Sequence, residues 1–391
     1  MAVLHRIDTL EPIREKVEAG QRLDFDDGVA LLESDDLLGL GELADLARRL
    51  RGGTDEVYFV QNLYLNQTNV CRVKCKFCAF AVTQKQEGAY TYNAEELVED
   101  ALRQRELTAF TEIHMVGGET PHVDFDYYVQ IVRQLHEAMP DVHLKLFTAS
   151  EIHHMTKLSG LTHEEVLREL RDAGLGSLPG GGAEVFAERV RRLVAPGKEH
   201  PDNWFHVHRT AHELGIPTHC TILYGHVETY EERVEHILRL RDLQDETGGY
   251  LAYIPLAYHP DNNELGLTLG RTGLATSGFD DLKNLAVGRL FLDNIDHIKS
   301  HWIMVTPSLS QISLHFGVND LEGTVVREKI YHEAGAHTSQ SMTLDQILRL
   351  IRGASKRPAE RDSFYAVIRT FDGVALSEAK GKVSATRNTA A

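Results

Sequence analysis

Cysteine is scarce: the chain's 391 residues include only four. A disulfide framework needs an even set in an oxidising compartment, and a structural zinc site needs four ligands, usually in two C-x-x-C-like pairs. Here Cys71, Cys75 and Cys78 crowd together with no second pair, and neither His114 nor Cys220 offers knuckle spacing to complete one. Cys220 lies in a strand-like run, where core packing is the default for a free thiol. Cationic residues are also short, with 41 Lys and Arg against 58 Asp and Glu and a net charge of −17. The acids are spread along the chain, which argues against nucleic-acid or membrane-surface binding. No apolar run approaches the roughly 18 residues of a membrane span, no Pro/Ser-rich linker divides the chain, and no internal repeat is visible. No secretory leader is expected, and the expected setting is cytoplasmic and reducing.

What is present begins with the stretch Asn69-Val70-Cys71-Arg72-Val73-Lys74-Cys75-Lys76-Phe77-Cys78. Iron–sulfur clusters are normally held by four cysteine thiolates. Three thiolates can hold three irons of a four-iron cluster, which leaves the fourth iron open to a substrate or cofactor. An exposed cluster of that kind implies an oxygen-poor setting.

Strand-like runs at 57–65, 112–116, 143–148, 174–178, 217–223, 250–256, 297–304 and 311–315 alternate with amphipathic segments, the pattern of parallel βαβ units. Capping-box sequences begin at Asn93, Thr162 and Thr229, and Thr343 opens a late helix through Arg352. Residues 13–30 and 36–50 read as helices preceding the strands. The fold expected is α/β: a (β/α) TIM-type barrel, complete or partly open, over 53–335, with N-terminal helices in 1–52. A C-terminal helical extension with a disordered tail fills 336–391. A doubly wound open sheet is the alternative, because strand order is not written in sequence.

Barrel active sites collect residues just beyond strand ends. Those positions hold the cysteine loop, His114, Gly117-Gly118-Glu119, Ser150-Glu151-Ile152-His153-His154, the glycine-rich 179–184 loop, His226 and His259. A tight glycine turn brings backbone acceptors close to a charged amine. Glu151 suits ribose hydroxyls, as acids near strand ends do in nucleotide sites, or equally a helix-start acid favouring the dipole. Phe77 and Phe80 are candidates to shield a cluster and touch an adenine; for Phe80 core packing is an equal reading.

The C-x-x-x-C-x-F-C loop resembles the radical S-adenosylmethionine superfamily. There the open iron chelates the amino and carboxylate groups of methionine, and one electron cleaves a carbon–sulfur bond to release a 5′-deoxyadenosyl radical. Gly117, Gly118 and Glu119 resemble the superfamily's GGE motif, which holds the methionine ammonium. Phe77, Ser150 and Glu151 join them on the cofactor side, and Cys71, Cys75 and Cys78 are the implied cluster ligands. A narrower resemblance covers about 15–361 and is carried by 65–71, 147–154, 180–184, 220–226 and 240–249. These stretches resemble the aminofutalosine synthases of the futalosine route to menaquinone. Where that family is expected to read Gly-Gly-Leu-His-Pro, this chain has Gly117-Gly118-Glu119-Thr120-Pro121.

The resemblance implies a transferase that adds the adenosyl radical to the vinyl carbon of 3-[(1-carboxyvinyl)oxy]benzoate. The product is 6-amino-6-deoxyfutalosine, released with methionine and bicarbonate. A [4Fe-4S] cluster, S-adenosylmethionine consumed as substrate and an external one-electron donor are implied as well. Two substrate carboxylates call for cationic or imidazole donors, and His114, His226 and Arg289 are the candidates. Sister readings are cyclic dehypoxanthine futalosine synthase and a deazaflavin-precursor synthase; from another class, a non-catalytic iron–sulfur carrier or sensor.

Overall fold

The computed structural model describes residues 10–371. Its strands are β1 (Glu56–Val60), β2 (Asn62–Leu65), β3 (Glu112–Met115), β4 (His143–Leu146), β5 (Thr218–Tyr224), β6 (Tyr250–Ala257), β7 (His297–Ile298), β8 (Asp320–Gly323), β9 (Arg357–Arg361) and β10 (Val367–Thr370). β2, β3 and β4 pair in parallel, as do β5, β6 and β7. Single parallel bridges join the groups: Lys145 to Ser177 and Leu178 to Thr218 insert a short stave between β4 and β5, and Lys299 to Asp320 links β7 to β8. The β1–β8 ladder and a Leu63–Val326 bridge return the sheet to its start. The result is a closed parallel barrel, not the doubly wound open sheet.

Helix boundaries follow local chemistry. Asn93, Thr162, Thr229 and Thr343 each close a reciprocal capping box with the acid or amide three residues on, satisfying donors a helix start leaves open.

Four expectations need correction. The helix expected over 13–30 is two, Glu11–Glu18 and Phe25–Glu33, separated where Gly20 takes a left-handed φ of 66° and Asp24 caps the second. The strand at 297–304 stops at Ile298, and Trp302–Val305 is a helical turn. Residues 311–315, expected as a strand, belong mostly to the helix Pro307–Ser313, whose Thr306 cap and Pro307 at the first turn mark a helix start; the last barrel strand is β8. The extension is not purely helical: after Leu344–Gly353 it supplies β9, parallel to β1, and β10, antiparallel to β9. The expected tail beyond 371 lies outside the described residues. Among the described residues no helix is long and apolar enough to cross a membrane.

The β9 pairing sets the floor of the barrel, at the N-terminal ends of its strands. Arg361 is fully buried there, its Nε donating to Asp320 Oδ2 at 2.8 Å, and Ser363 Oγ donates to Glu112 Oε2 at 2.7 Å. The opposite end, where β2 runs into the cysteine loop, is the mouth.

Candidate active site

The cysteine loop is held by backbone on both flanks. Cys71 N donates to Val82 O at 3.0 Å, Cys78 N to Cys75 O at 3.1 Å, and Lys76 N to Val194 O at 2.8 Å. Lys74 takes a left-handed φ of 54° to make the turn. All three cysteines are free and half-buried. Burial pushes the thiols of Cys75 and Cys78 up; Lys198 opposes this at Cys75, backbone N–H donors of Ala81 and Phe80 oppose it at Cys78, and the charge of Cys71 adds to both. Among the described residues no three such donors converge on a single ion. Three free thiols on one loop suit a multi-iron body, whose positive charge would convert them to thiolates.

The Gly117–Glu119 segment lies directly against this loop. Gly118 N donates to Thr68 O at 2.8 Å, and a Cβ on Gly118 would sit 2.2 Å from Val70 O, so only glycine fits. Buried Glu119 meets Arg72 Nη2 at 3.1 Å and accepts from Ser150 Oγ at 2.5 Å, while the same hydroxyl lies 2.8 Å from Glu199 Oε2. One hydroxyl proton cannot serve two carboxylates, so the trio needs a second proton. Burial first, and Glu199 after the opposing Ser150 bond, push the Glu119 carboxyl up. An arriving ammonium would find two buried carboxylates bridged by one hydroxyl, with Arg72 on the far oxygen of Glu119.

Glu151 is differently placed from the ribose-binding expectation. Its carboxylate accepts from Gln67 Nε2 (2.8 Å), Gly117 N (3.1 Å), Thr148 N (2.8 Å) and Thr148 Oγ1 (2.9 Å). These donors fill its acceptor sites, and burial raises it to about 7. It is a capping-box residue of the helix Ala149–Ser159 that also anchors the glycine turn. Phe77 lines a small cavity of about 80 Å³ with Cys78, Glu184, Tyr258 and Tyr331. Phe80 is buried against Tyr90 and reads as packing.

A second cavity, about 130 Å³, occupies the barrel lumen and shares Leu256, Ile330 and Tyr331 with the first. His114 lines it, its ring stacked 4.4 Å from that of Tyr64. The other two carboxylate candidates are not there. His226 is buried beyond β5, its Nδ1 accepting from Val227 N at 2.8 Å and lying 3.0 Å from Glu228 Oε2. Arg289 is overturned as a substrate clamp: its guanidinium donates to Gly317 O (2.8 Å), Asp296 O (3.1 Å) and Asn319 Oδ1 (2.9 Å), all at the floor end, opposite the cysteines. Sequence reasoning passed over the lumen residues His219, His301 and Lys145. The available signal was period-two alternation in β5, where His219, Thr221 and Leu223 face inward.

Residues 65–240 match the family model described as the radical SAM superfamily, and residues 247–372 that of the CofH/MqnC C-terminal region. The aminodeoxyfutalosine synthase of Thermus thermophilus is 48% identical, over 93% of this chain and 97% of that protein. The chain belongs to the aminodeoxyfutalosine synthase family. A second aminodeoxyfutalosine synthase, of Streptomyces coelicolor, is 43% identical over 92% of this chain and 94% of its own. A 5-amino-6-(D-ribitylamino)uracil–L-tyrosine 4-hydroxyphenyl transferase of Methanosarcina barkeri is more distant, at 38% over 88% of this chain and 90% of that protein. Among solved structures, methylornithine synthase superposes with a TM-score of 0.70 at 18% identity, covering 89% of this chain and 97% of that one. An [FeFe]-hydrogenase maturase superposes with a TM-score of 0.69 at 17% identity, over 90% of this chain and 76% of that one. Both bear on the fold alone. As an aminodeoxyfutalosine synthase family member the chain is a radical S-adenosylmethionine enzyme, using a [4Fe-4S] cluster and S-adenosylmethionine.

Proposed function

We propose that this enzyme joins the adenosyl carbon of S-adenosylmethionine to the vinyl carbon of 3-[(1-carboxyvinyl)oxy]benzoate. The products are 6-amino-6-deoxyfutalosine, methionine and bicarbonate, as a step toward menaquinone. The observation that carries the proposal is the pair of adjoining cavities. One lies at the cysteine loop, the other in the lumen, and they share the walls Leu256, Ile330 and Tyr331.

Cys71, Cys75 and Cys78 would hold the cluster, reduced by an external one-electron donor; when bound, it supplies the electron that cleaves S-adenosylmethionine. Glu119 and Glu199, bridged by Ser150, would take the methionine ammonium. Glu151 keeps the glycine turn against the cysteine loop through Gly117 N. The apolar side chains Ile254, Leu256 and Ile330 wall the lumen and keep water from the reacting carbons. Free, adjoining cysteines support a reducing, cytoplasmic setting.

The test is anaerobic. The reconstituted, reduced enzyme is given S-adenosylmethionine and the enol-ether benzoate, and products are read by mass spectrometry. An adduct of adenosyl carbon and benzoate skeleton, absent in Cys75→Ala, is expected. Free 5′-deoxyadenosine without adduct would move the assignment to a hydrogen-abstracting relative such as cyclic dehypoxanthine futalosine synthase.

A further inference from the structure

The lumen cavity contains imidazoles without partners. His219 is buried, and neither Nδ1 nor Nε2 has a hydrogen-bond partner. His301 is buried with Nε2 3.2 Å from Tyr64 Oη, and its Nδ1 is unpartnered; so is Nδ1 of His114. All three rings line the same cavity. A buried polar atom left without a partner costs roughly 1–3 kcal/mol, so three such rings around one space call for a ligand with several acceptors. The rest of the lining limits its shape. Ile254, Leu256 and Ile330 present an apolar surface, and Gly180 packs so closely on β5 that a Cβ there would sit 2.7 Å from His219 O. Flat apolar walls ending in imidazole donors suit an aryl ring that carries an anionic group at one edge.

We propose that this cavity seats the ring carboxylate of an aromatic acid, held by N–H donors of His219 and His301 with His114 beside them. The inference deepens the proposed function and rests on it for the identity of the acid. It also orients the substrate: the ring carboxylate points to the lumen floor and the vinyl carbon toward the cysteine-loop cavity.

The charge balance in and beneath the cavity wall, which includes Lys145, Glu322 and Glu328, gives the site a distinctive signature. The charged and titratable groups around the imidazoles are Tyr64, Lys145, Lys299, Glu112, Glu322, Glu328 and Tyr331. Lys145 is paired with Glu112 and Lys299 with Glu322, so neither ammonium is free for the ligand. Burial first, with Lys299 and Lys145 adding to it, pushes His219 and His301 below the usual imidazole range and keeps both rings neutral near pH 7.5. A carboxylate entering beside neutral rings favours the imidazolium form of His219, whose two nitrogens are both unpartnered, so binding takes up a proton from solution.

The probe is 3-methoxybenzoate, titrated calorimetrically into the reconstituted enzyme at pH 7.5 in buffers of different ionisation enthalpy, with 3-methoxybenzamide as the neutral comparison. The expected result is binding of the acid with uptake of close to one proton. In His219→Leu the acid should bind about 10- to 100-fold more weakly, as for a lost hydrogen bond to a charged group, with the amide unchanged. His219→Gln, which keeps a donor, should recover part of the affinity without the proton uptake. Should His219→Leu not fold, His301→Leu makes the same comparison of acid against amide. No acid binding, an equal loss for acid and amide, or undiminished proton uptake in His219→Leu would overturn the inference. Failure of the enol-ether reaction with His219-dependent benzoate binding intact would sink only the substrate assignment. Unchanged KM for the enol ether in His219→Leu, with adduct still formed, would sink only the carboxylate seat.

Discussion

The floor of the barrel lumen and the cavity above it are lined by the same kinds of residue, treated in opposite ways. At the floor and along the lower wall of the cavity three cations each have an anion: Arg361 meets Asp320 at 2.8 Å, Lys299 meets Glu322 at 2.7 Å, and Lys145 is bonded to Glu112. Burial alone would raise the Glu112 and Glu322 carboxyls, yet Lys145 with Arg361, and Lys299 with Lys145, hold them well below the usual carboxylate range. One layer up, His219 has no partner at either nitrogen, and His114 and His301 each leave one bare. Isolated buried charges are tolerated when compensated, and this floor is compensated. The imidazoles above are not, which separates groups that hold the barrel together from groups kept ready for something that arrives.

The comparison is broken most severely by removing one partner at the floor. Arg361→Ala leaves Asp320 buried without its cation, and denaturant melts should show a loss of about 3–5 kcal/mol. Lys145→Met should cost about as much because Glu112 is stranded, whereas Lys145→Met combined with Glu112→Leu should recover most of the loss. A non-additive recovery would confirm that the pair acts as a unit; simple addition of two losses would refute it.

The cavity layer answers to pH with its own sign. Burial first, and Lys145 next, lower His114 from 6.5 to about 3. Its neutral ring contributes stability that is full above pH 6.5 and is lost as pH falls toward 3, because the unfolded chain takes up the proton first. His114→Gln should flatten the stability–pH curve in that window by up to ~1.4 kcal/mol per pH unit. An unaltered slope would mean the ring is protonated in the fold. The smallest effect sharpens the comparison most: His219→Leu should melt no lower than the parent, and up to about 1 kcal/mol higher, since it removes unpartnered polar atoms. A loss of stability there would mean the ring is a structural member like those at the floor.

The cysteine loop and the capping boxes were legible because their chemistry is local: three thiols in one turn, or a hydroxyl and an acid three residues apart. The closed barrel was legible from alternation, and its closure only as one of two alternatives, because the 177–178 stave and the Lys299–Asp320 bridge join residues by single contacts. Residues 311–315 misled because Ile312 and Leu314 alternate as in a strand, while the helix is fixed upstream at Thr306 and Pro307. Arg289 misled because helical spacing does not say which end of the barrel a side chain meets. Glu151 carried both readings, and the capping one holds its oxygens. His219 stayed hidden beside Cys220, since Thr218, His219 and Thr221 put polar groups on both faces of the strand and none says whether it faces a helix or a lumen.

The β9–β1 pairing also orders events during synthesis. The cysteines at 71–78 leave the ribosome almost 300 residues before Arg361, and Asp320 lacks its guanidinium partner until that arginine arrives. Chains generally fold N-terminal units first as they are made, but this barrel cannot seal its base from its early part alone. The nascent protein therefore passes through an interval in which its thiols are translated and its base is still unsealed.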